Sequence, residues 1–236
     1  MSLIDRLSSK FYGPEFISPI QHFNSLIRSF LNSSSCVLHA GCGVDESIGL
    51  HAIAGHTVGL DYLSYLSANH DLDDAVIGDL ERVPFKSASF DLVISRWVIE
   101  HLSDPFRFFQ ESSRVLRPGG KLVILTPNVY YYAVVITRLS PLSFQKWFVK
   151  NILHENPDGV FKTFYRSNTR SQLSAHAKKA GLTQQYSVIL EGKPSLLAFS
   201  KLSFLIGILY ERLINSSDIF SIFRSTIISV FLKDIA

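Results

Sequence analysis

Short apolar segments recur through the first half of the chain, and most of them end next to a glycine or an aspartate. They have the length and composition of buried strands and lie at 36–40, 57–60, 75–77, 90–95 and 121–126. Between the last two, Pro105 opens a stretch of helical period that ends before Pro118. Strands that alternate with helices predict a mostly parallel sheet with helices on both faces.

Other parts of the chain follow a helical period. Residues 1–33 form an N-terminal helical segment in this interpretation, since their apolar positions recur at intervals of three and four. Residues 44–54 and 169–180 are also predicted helices, each followed by a glycine. The pattern predicts two further strands at 184–190 and 224–232.

Two segments interrupt this alternation, and we interpret residues 1–236 as one domain that contains both. Residues 129–166 form an irregular, aromatic-rich insertion, and residues 195–215 form an appended apolar helix. The helical spacing of four apolar residues favours one-sided packing of this helix on the domain: Leu202, Leu205, Ile206 and Leu209. Closure of a pocket, pairing of two copies as a homodimer and contact with a membrane surface stay open for it.

Composition narrows the classes of protein. The chain is 47% apolar and 18% charged, which excludes intrinsic disorder. A formal net charge of +3 without a basic run argues against a nucleic-acid partner. The sequence has no uninterrupted stretch of about 18 apolar residues, so we expect no integral membrane segment. Cys36 and Cys42 are the only cysteines, and with no signal peptide at the start they favour a cytoplasmic protein.

Candidate polar groups follow the predicted strands. Gly41, Cys42 and Gly43 form a glycine turn between a strand and a predicted helix, where a backbone can pass close to a ligand. Asp61 lies 20 residues beyond Gly41 at the end of the next strand, as an acid that holds a ribose does. Asp79, after the third strand, could accept from an adenine amino group. These residues predict a nucleoside site.

The kind of nucleoside follows from what the loop lacks. A dinucleotide fingerprint needs a third glycine where Glu46 stands, and phosphates would meet the carboxylates of Asp45 and Glu46. The phosphate-binding pattern of nucleoside triphosphatases is absent from the sequence. A nucleoside that carries a cation suits this acidic loop better, and S-adenosylmethionine is such a ligand.

With these features the chain resembles the class I S-adenosylmethionine-dependent methyltransferases that have a short core of the small-molecule type. The resemblance rests on four segments in the family's order and spacing: VLHAGCGVDE (37–46), GLDYL (59–63), GDLERVPFKSASFDLVISRWVIEHLSDP (78–105) and RVLRPGGKLVILTPN (114–128). It implies a Rossmann-like, doubly wound α/β fold with a seven-stranded sheet whose last strand is antiparallel. It also implies S-adenosylmethionine as cofactor.

The resemblance assigns cofactor contacts residue by residue. The glycine turn would approach the methionine part, Asp61 would hold the ribose and Tyr62 would pack near the adenine. The remaining contacts, at the adenine edge and beside the sulfonium, would come from Asp79, Leu80, Ser95 and Arg96. Two positions depart from the family, since His39 replaces a usual acid and Asp45 a usual glycine. The first departure would weaken cofactor binding unless Asp45 supplies the missing charge.

The catalytic and acceptor residues are less defined. Histidine titrates near neutral pH, so His101 is the candidate base for an acceptor that must lose a proton, with Glu100 as a weaker candidate. His101 could equally orient a loop. Candidate acceptor contacts come from the insertion: Tyr130, His154, Tyr165 and Arg166. The pairs Glu100-His101 and His154-Glu155 lack matched ligand spacing, so we expect no metal.

The expected function is methyl transfer from S-adenosylmethionine to an oxygen or nitrogen of a small-molecule acceptor, by in-line displacement. One alternative is a catalytically inactive methyltransferase-like partner subunit, which the changes at His39 and Asp45 would suit. A macromolecule methyltransferase is a weaker alternative, because the sequence has neither a basic stripe nor the N/D-P-P-Y/F tetrad after the fourth strand.

Overall fold

The computed structural model describes residues 3–44, 47–63, 69–154 and 156–235. The strands in this part of the chain form one seven-stranded sheet in the order β3-β2-β1-β4-β5-β7-β6. Their bounds are β1 Cys36–Ala40, β2 His56–Asp61, β3 Asp74–Ile77, β4 Phe90–Arg96, β5 Leu116–Pro127, β6 Leu182–Leu190 and β7 Thr226–Lys233. Every strand expected from the sequence is present, and β5 starts earlier than expected.

The first five strands pair with one another in parallel. β7 runs antiparallel to β6, since the hydroxyl of Thr183 bonds the carboxylate of Asp234 while the hydroxyls of Ser187 and Ser229 meet at 2.9 Å. The predicted Rossmann-like α/β sheet with an antiparallel last strand is therefore confirmed. A parallel sheet gathers the carboxyl ends of its strands at one edge, where such folds bind ligands.

Seven α-helices occur in the described residues: α1 Leu3–Phe11, α2 Pro19–Phe30, α3 Pro105–Val115, α4 Tyr132–Leu139, α5 Leu142–Phe148, α6 Arg170–Lys179 and α7 Lys201–Asn215. The N-terminal segment is two helices rather than one continuous stretch. The chain breaks at Gly13-Pro14, and α2 starts anew because Ser18 and Gln21 each accept a hydrogen bond from the other's backbone N–H.

The helix expected at 44–54 is wrong for its described part, because residues 47–54 form turns. Gly49 has φ +69°, a left-handed conformation that ends helical geometry. The carbonyl oxygen of Ile48 accepts from Nε and a terminal nitrogen of Arg28, at 3.0 and 2.7 Å, and this side chain takes the place of a helical partner.

The contacts divide the chain into two compact units. The first, which we call the sheet unit, contains Phe23–Thr126, Phe164–Val188 and Ile227–Ala236. The second, which we call the helical unit, contains Met1–His22, Pro127–Thr163 and Ile189–Thr226. The organisation as one domain with an insertion over 129–166 stays a prediction.

In the sheet unit, α3 places one face against the sheet. Its buried residues include Phe108 and Phe109, as the helical period predicted. The ring of Phe109 meets Phe231 of β7 and His176 of α6 in edge-to-face contacts, with centroids 5.8 and 5.7 Å apart. The predicted helix at 169–180 is confirmed too, with Thr169 as its N-cap, since its hydroxyl accepts from the N–H of Gln172.

The helical unit has a core of its own, formed by Tyr12, Phe204 and Ile208. The expected packing face of α7 is wrong, because Leu202 and Leu209 are 70% and 71% exposed. The helix is apolar on more than one side, and Gly207 decides which side is buried. A Cβ at Gly207 would lie 2.5 Å from Cβ of Pro194, so only glycine allows this close approach. None of the described helices is long and apolar enough to cross a membrane.

Candidate functional site

The glycine turn at the end of β1 follows the backbone geometry that the sequence suggested. Gly41 has φ +73° and Gly43 has φ +50°, and the N–H of Gly41 donates to the carbonyl of Leu60 at 2.7 Å. A Cβ at Gly41 would lie 2.2 Å from Cγ2 of Val98, the residue two positions after β4. A Cβ at Gly43 would meet nothing within 4 Å. The turn is therefore packed on one side and open at Gly43.

Asp61, the last residue of β2, faces this open part of the turn. One carboxylate oxygen accepts from the N–H of Gly43 at 3.0 Å and the other from the N–H of Leu63 at 3.2 Å. The residue is 7% exposed. A carboxylate oxygen accepts more than one hydrogen bond, so these two contacts fix the orientation of the carboxylate and leave it able to receive two neighbouring hydroxyls.

The cysteine inside the turn is a packing residue. Cys42 is 2% exposed, and its Sγ lies 2.7 Å from the position that a Cβ on Gly59 would take. Burial, followed by the charge of Asp61, raises the pKa of the Cys42 thiol to about 12. The thiol is protonated at neutral pH and is not a nucleophile. Only the backbone of Cys42 is suited to ligand contact.

The ends of β2 and β3 meet through a backbone hydrogen bond from Gly78 to the carbonyl of Asp61, 2.9 Å long. Asp79 follows with an exposed carboxylate that accepts from the N–H of Glu81 at 2.8 Å, while Leu80 is buried. Tyr62 is 65% exposed. The structure thus brings Asp61, Tyr62, Asp79 and Leu80 to one corner of the sheet.

Two polar groups on neighbouring strands lie buried near the turn. His39 in β1 is 1% exposed, and its Nδ1 has no hydrogen-bond partner. Burial, with the positive charge of Arg96 adding to it, lowers the pKa of His39 to about 3. His39 is therefore neutral at physiological pH. The hydroxyl of Ser95 in β4 is likewise buried without a partner.

Arg96, at the end of β4, ties this strand to the loop after the turn. A terminal nitrogen of its guanidinium donates to the hydroxyl of Ser47 at 2.7 Å. Burial lowers the pKa of the guanidinium below its ordinary value. Asp45 and Glu46, on which the choice of nucleoside depended, lie outside the described residues.

Glu100 lies in a short 3₁₀ turn, Ile99–His101, and joins three segments of the sheet unit. Its carboxylate accepts a hydrogen bond from the hydroxyl of Thr126 at 3.1 Å. The hydroxyl oxygen of Thr126 in turn accepts from the side-chain amide of Asn168 at 2.7 Å. The carbonyl oxygen of Glu100 accepts from the N–H groups of Phe164 and Tyr165. Glu100 therefore holds the segment after residue 163 against the ends of β4 and β5.

This network includes a residue that the sequence did not single out for such a role. The structure gives the N-cap of α6 to Thr169 and places the amide of Asn168 in the core. Thr126 carried a signal, since it ends the fifth strand. Asn168 lies 42 positions further along the chain, and nothing in the local sequence pairs it with Thr126.

Comparison with known proteins agrees with this geometry. The family described as "Methyltransferase domain" matches residues 38–124. The Mycolicibacterium smegmatis protein named "Probable S-adenosylmethionine-dependent methyltransferase" is 41% identical over 97 residues, which are 39% of this chain and 38% of that protein. Residues 38–124 therefore form a methyltransferase domain similar to those of S-adenosylmethionine-dependent methyltransferases.

Two further proteins are similar to this chain. The human protein named "Probable tRNA methyltransferase 9B" is 35% identical over 106 residues, 42% of this chain and 23% of that protein. The structure that holds the Haloferax volcanii Trm112 methyltransferase activator with its methyltransferase partner matches with a TM-score of 0.62 at 18% identity, over 98% of this chain and 96% of that chain. At this identity the likeness shows the fold. The chain spans about a third of the length of the first curated relatives, 38% and 35%.

The described residues fit S-adenosylmethionine in their geometry and their charge. The open side of Gly43 beside an oriented Asp61 carboxylate suits a ribose with two hydroxyls. His39, neutral at physiological pH, adds no positive charge that would repel the ammonium and sulfonium of the cofactor. The departure from the family at position 39 is therefore compatible with a cationic ligand.

The residues expected to serve catalysis and the acceptor fall in different parts of the methyltransferase. His101 is half-buried, and its backbone N–H donates to the carbonyl of Val98 at 2.9 Å. Tyr165 and Arg166 belong to the sheet unit, where a guanidinium nitrogen of Arg166 donates to the carbonyl of Ser103. The other two candidates, Tyr130 and His154, are exposed residues of the helical unit.

Metal binding requires that candidate ligands lie close together. Across residues 3–44, 47–63, 69–154 and 156–235, no three His, Cys, Asp or Glu side chains are arranged to hold a metal ion. Glu155, half of the second pair considered in the sequence, lies outside the described residues.

Proposed function

We propose that this protein binds S-adenosylmethionine at the carboxyl edge of β1, β2 and β3 and transfers its methyl group to an oxygen or nitrogen of a small-molecule acceptor. The observation that carries the proposal is the contact between Asp61 and the N–H of Gly43, at 3.0 Å beside an open position. It joins the loop that would meet the methionine part to the acid that would hold the ribose.

Each cofactor contact in the proposal uses a group with a suitable environment. The backbone of Gly41, Cys42 and Gly43 would lie along the methionine part, and Asp61 would accept from both ribose hydroxyls. The adenine would lie between exposed Tyr62 and buried Leu80, with Asp79 at its amino group. The hydroxyl of Ser95 and the guanidinium of Arg96 would border the reacting end.

The bound cofactor supplies a methyl group on a sulfonium, which leaves as a neutral thioether when the acceptor attacks in line. The protein's task is to align the acceptor at about 3–3.5 Å from that carbon and to exclude water. His101 would remove the proton of a hydroxyl acceptor through its imidazole. Glu100, protonated or not, would act only by holding the turn that carries His101, because its carboxylate is engaged with Thr126.

The acceptor contacts in this proposal come from two places. Tyr165 adjoins the Glu100 turn through a backbone hydrogen bond, and the guanidinium of Arg166 donates to the carbonyl of Ser103 just beyond that turn, which supports a role at the acceptor. Tyr130 and His154 would add an aromatic face and a titratable group from the insertion. A flat or sugar-like acceptor suits aromatic faces with few polar tips.

Cofactor binding is tested by calorimetry with S-adenosylhomocysteine, the product form. Replacing Asp61 by Asn removes the charge that orders Gly43 and the ribose, and hydrogen bonds to charged groups contribute about 1.5–3 kcal/mol. We expect the affinity to fall about 10- to 100-fold. Asp74→Asn, at the opposite end of a strand, is the matched control and should leave the affinity unchanged. Equal affinities for the wild type and Asp61→Asn would refute the proposed ribose contact.

Catalysis is tested by methyl transfer from a labelled donor into an extract of small molecules. If His101 is the base, His101→Asn should slow transfer about 10²–10⁴-fold while S-adenosylhomocysteine binds as before. His56→Asn, at the amino end of β2, serves as control. A loss under about tenfold would assign His101 to loop orientation instead. Cofactor binding with no labelled product from any acceptor class would favour the inactive partner subunit.

A macromolecular acceptor is the second candidate, because one relative is named as a tRNA methyltransferase and one similar fold was solved with an activator protein. The same assay with total RNA as acceptor separates the two. Label in RNA but not in small molecules would replace the proposed acceptor class. Cytoplasmic location and pairing of two copies stay predictions.

A further inference from the structure

Four aromatic rings of the helical unit form a continuous surface group, which we call the aromatic patch: Phe144, Trp147, Phe148 and Phe199. Phe144 and Trp147 stack with centroids 5.8 Å apart, and Phe148 meets Phe199 edge-to-face at 6.2 Å. Phe144, Trp147 and Phe199 are 48%, 52% and 47% exposed. Rings that are about half exposed are not fully covered by the described part of the chain.

Exposed aliphatic side chains extend the aromatic patch along the chain on each side. Leu139 precedes α5 with 83% of its surface exposed, and Leu202 follows Phe199 with 70% exposed. Leu142 and Leu196 are each 41% exposed. An apolar area of this kind costs free energy in water, roughly in proportion to its size. It favours an apolar surrounding for this side of the helical unit.

Basic residues outnumber acidic ones around the aromatic patch, where Asp158, in the short turn Pro157–Gly159 that packs against α5, is an exposed acid. Residues 129–154 and 192–210, the two segments that meet at Phe148 and Phe199, contain no aspartate or glutamate, although the chain has 20. Their basic residues are all exposed: Arg138, Lys146, Lys150, Lys193 and Lys201. Exposed aromatic and leucine side chains among lysines, with few acids, are typical of surfaces that lie in the headgroup region of anionic membranes.

We propose that the aromatic patch and its lysines dock the protein on an anionic lipid surface. The helices lie on the bilayer and do not cross it, since no described helix is long and apolar enough to span. A second copy of the chain fits less well, because two surfaces of the same positive sign repel when they meet. Nucleic acid would use the rings and lysines but leave Leu139 and Leu202 in water.

The docking is independent of the proposed methyl transfer, because no residue of the patch belongs to the cofactor site. Its test is therefore separate: the full-length protein is mixed with vesicles of phosphatidylcholine, with or without phosphatidylglycerol, and floated on a density gradient. We expect flotation with anionic vesicles only, weakened by salt, together with a blue shift of Trp emission that Trp147→Phe removes.

Matched variants separate the docking surface from general charge and apolarity. The triple variant Lys146→Gln, Lys150→Gln, Lys201→Gln should bind anionic vesicles about 100-fold more weakly, at about fivefold per lysine. The control triple of exposed lysines in the sheet unit, Lys86→Gln, Lys178→Gln, Lys179→Gln, has the same net charge and should bind as the wild type. Equal losses in both triples would overturn the proposal.

The apolar contribution has its own pair. Phe144→Ser with Trp147→Ser should reduce flotation at least tenfold, whereas Ile77→Ser with Ile235→Ser, two exposed positions of the sheet unit, should not. Circular dichroism verifies that each variant is folded. Absence of flotation with anionic vesicles overturns the proposal. So does self-association, or binding to single-stranded RNA, that the Phe144/Trp147 variant abolishes while vesicle binding is unaffected.

Discussion

At the scale of single residues, the carboxyl group of Glu100 makes the stability of the protein depend on pH. It is 4% exposed, and burial raises its pKa from the ordinary 4.5 to about 7. Its hydrogen bond from Thr126 acts in the opposite direction but does not outweigh the loss of water. Glu191 in the helical unit has its pKa raised to about 7 by burial as well.

The pH dependence of stability follows from this shift. Between pH 4.5 and 7 native Glu100 keeps a proton that the unfolded chain has lost, so the free energy of unfolding falls as the pH rises. Glu100→Gln removes this contribution, on the order of 3 kcal/mol. Urea denaturation of both proteins at pH 5 and pH 8 measures it. The stability of the wild type relative to the variant should decrease with pH, while parallel behaviour would contradict a buried, protonated Glu100.

At the scale of elements, the turn after β1 depends on one close approach. Gly41 has a positive φ, and its Cα faces the stiff, β-branched side chain of Val98. Gly43 has a positive φ without a neighbour. Substitutions at these two glycines therefore allow the cost of left-handed backbone strain to be measured separately from the cost of a steric clash.

Gly41→Ala should lower the free energy of unfolding by about 2–5 kcal/mol, from left-handed strain and the clash together. Gly43→Ala should cost about 1–2 kcal/mol from the backbone alone. Val98→Ala in the Gly41→Ala background should restore part of the loss, because it removes Cγ2. Chemical denaturation checks all three, and a double variant no more stable than Gly41→Ala would show that the clash is not the cause.

The second element-scale prediction concerns α7, whose two apolar sides differ in their surroundings. Phe204 is 2% exposed, and Leu209 is 71% exposed. Phe204→Ala should destabilise the helical unit by about 3–5 kcal/mol, and Leu209→Ala by less than about 0.5 kcal/mol. Trp147 fluorescence during urea unfolding, in a common Trp97→Phe background, reports this unit. Similar costs for both variants would restore the packing face inferred from spacing.

At the scale of the whole molecule, the two tryptophans report different units, Trp97 the sheet unit and Trp147 the helical unit. A ligand that binds only the native state stabilises it in proportion to the logarithm of its concentration. In Trp147→Phe protein, S-adenosylhomocysteine at 100 times its Kd should raise the Tm read from Trp97 by about 5–10 °C. ATP at the same concentration should not, because the sequence has two carboxylates, Asp45 and Glu46, directly after the glycine turn. Equal shifts with both would argue against the acidic loop as the selective feature.

Local patterns account for much of the fold and of the cofactor corner. The strands at 36–40 and 90–95 are short apolar runs, and buried parallel strands have this signature because neighbours cover both faces. Asp61 and Asp79 follow such runs, so their places at one sheet edge could be predicted. Glu100 could be placed next to β4 but not inside the core, since its partner Thr126 ends another strand and is itself held by Asn168 from a distant segment.

The sequence by itself determined the strands, their mostly parallel arrangement from the alternation with helices, the glycine turn and the acids at the strand ends, because these are set by interactions between near neighbours. Only the tertiary structure decided that Ile48 bonds Arg28 instead of continuing a helix, that His39 is neutral, and which side of α7 is buried. Each of these depends on groups far apart in the chain. Burial and partner distance are properties of the folded molecule, and a local pattern carries no record of them.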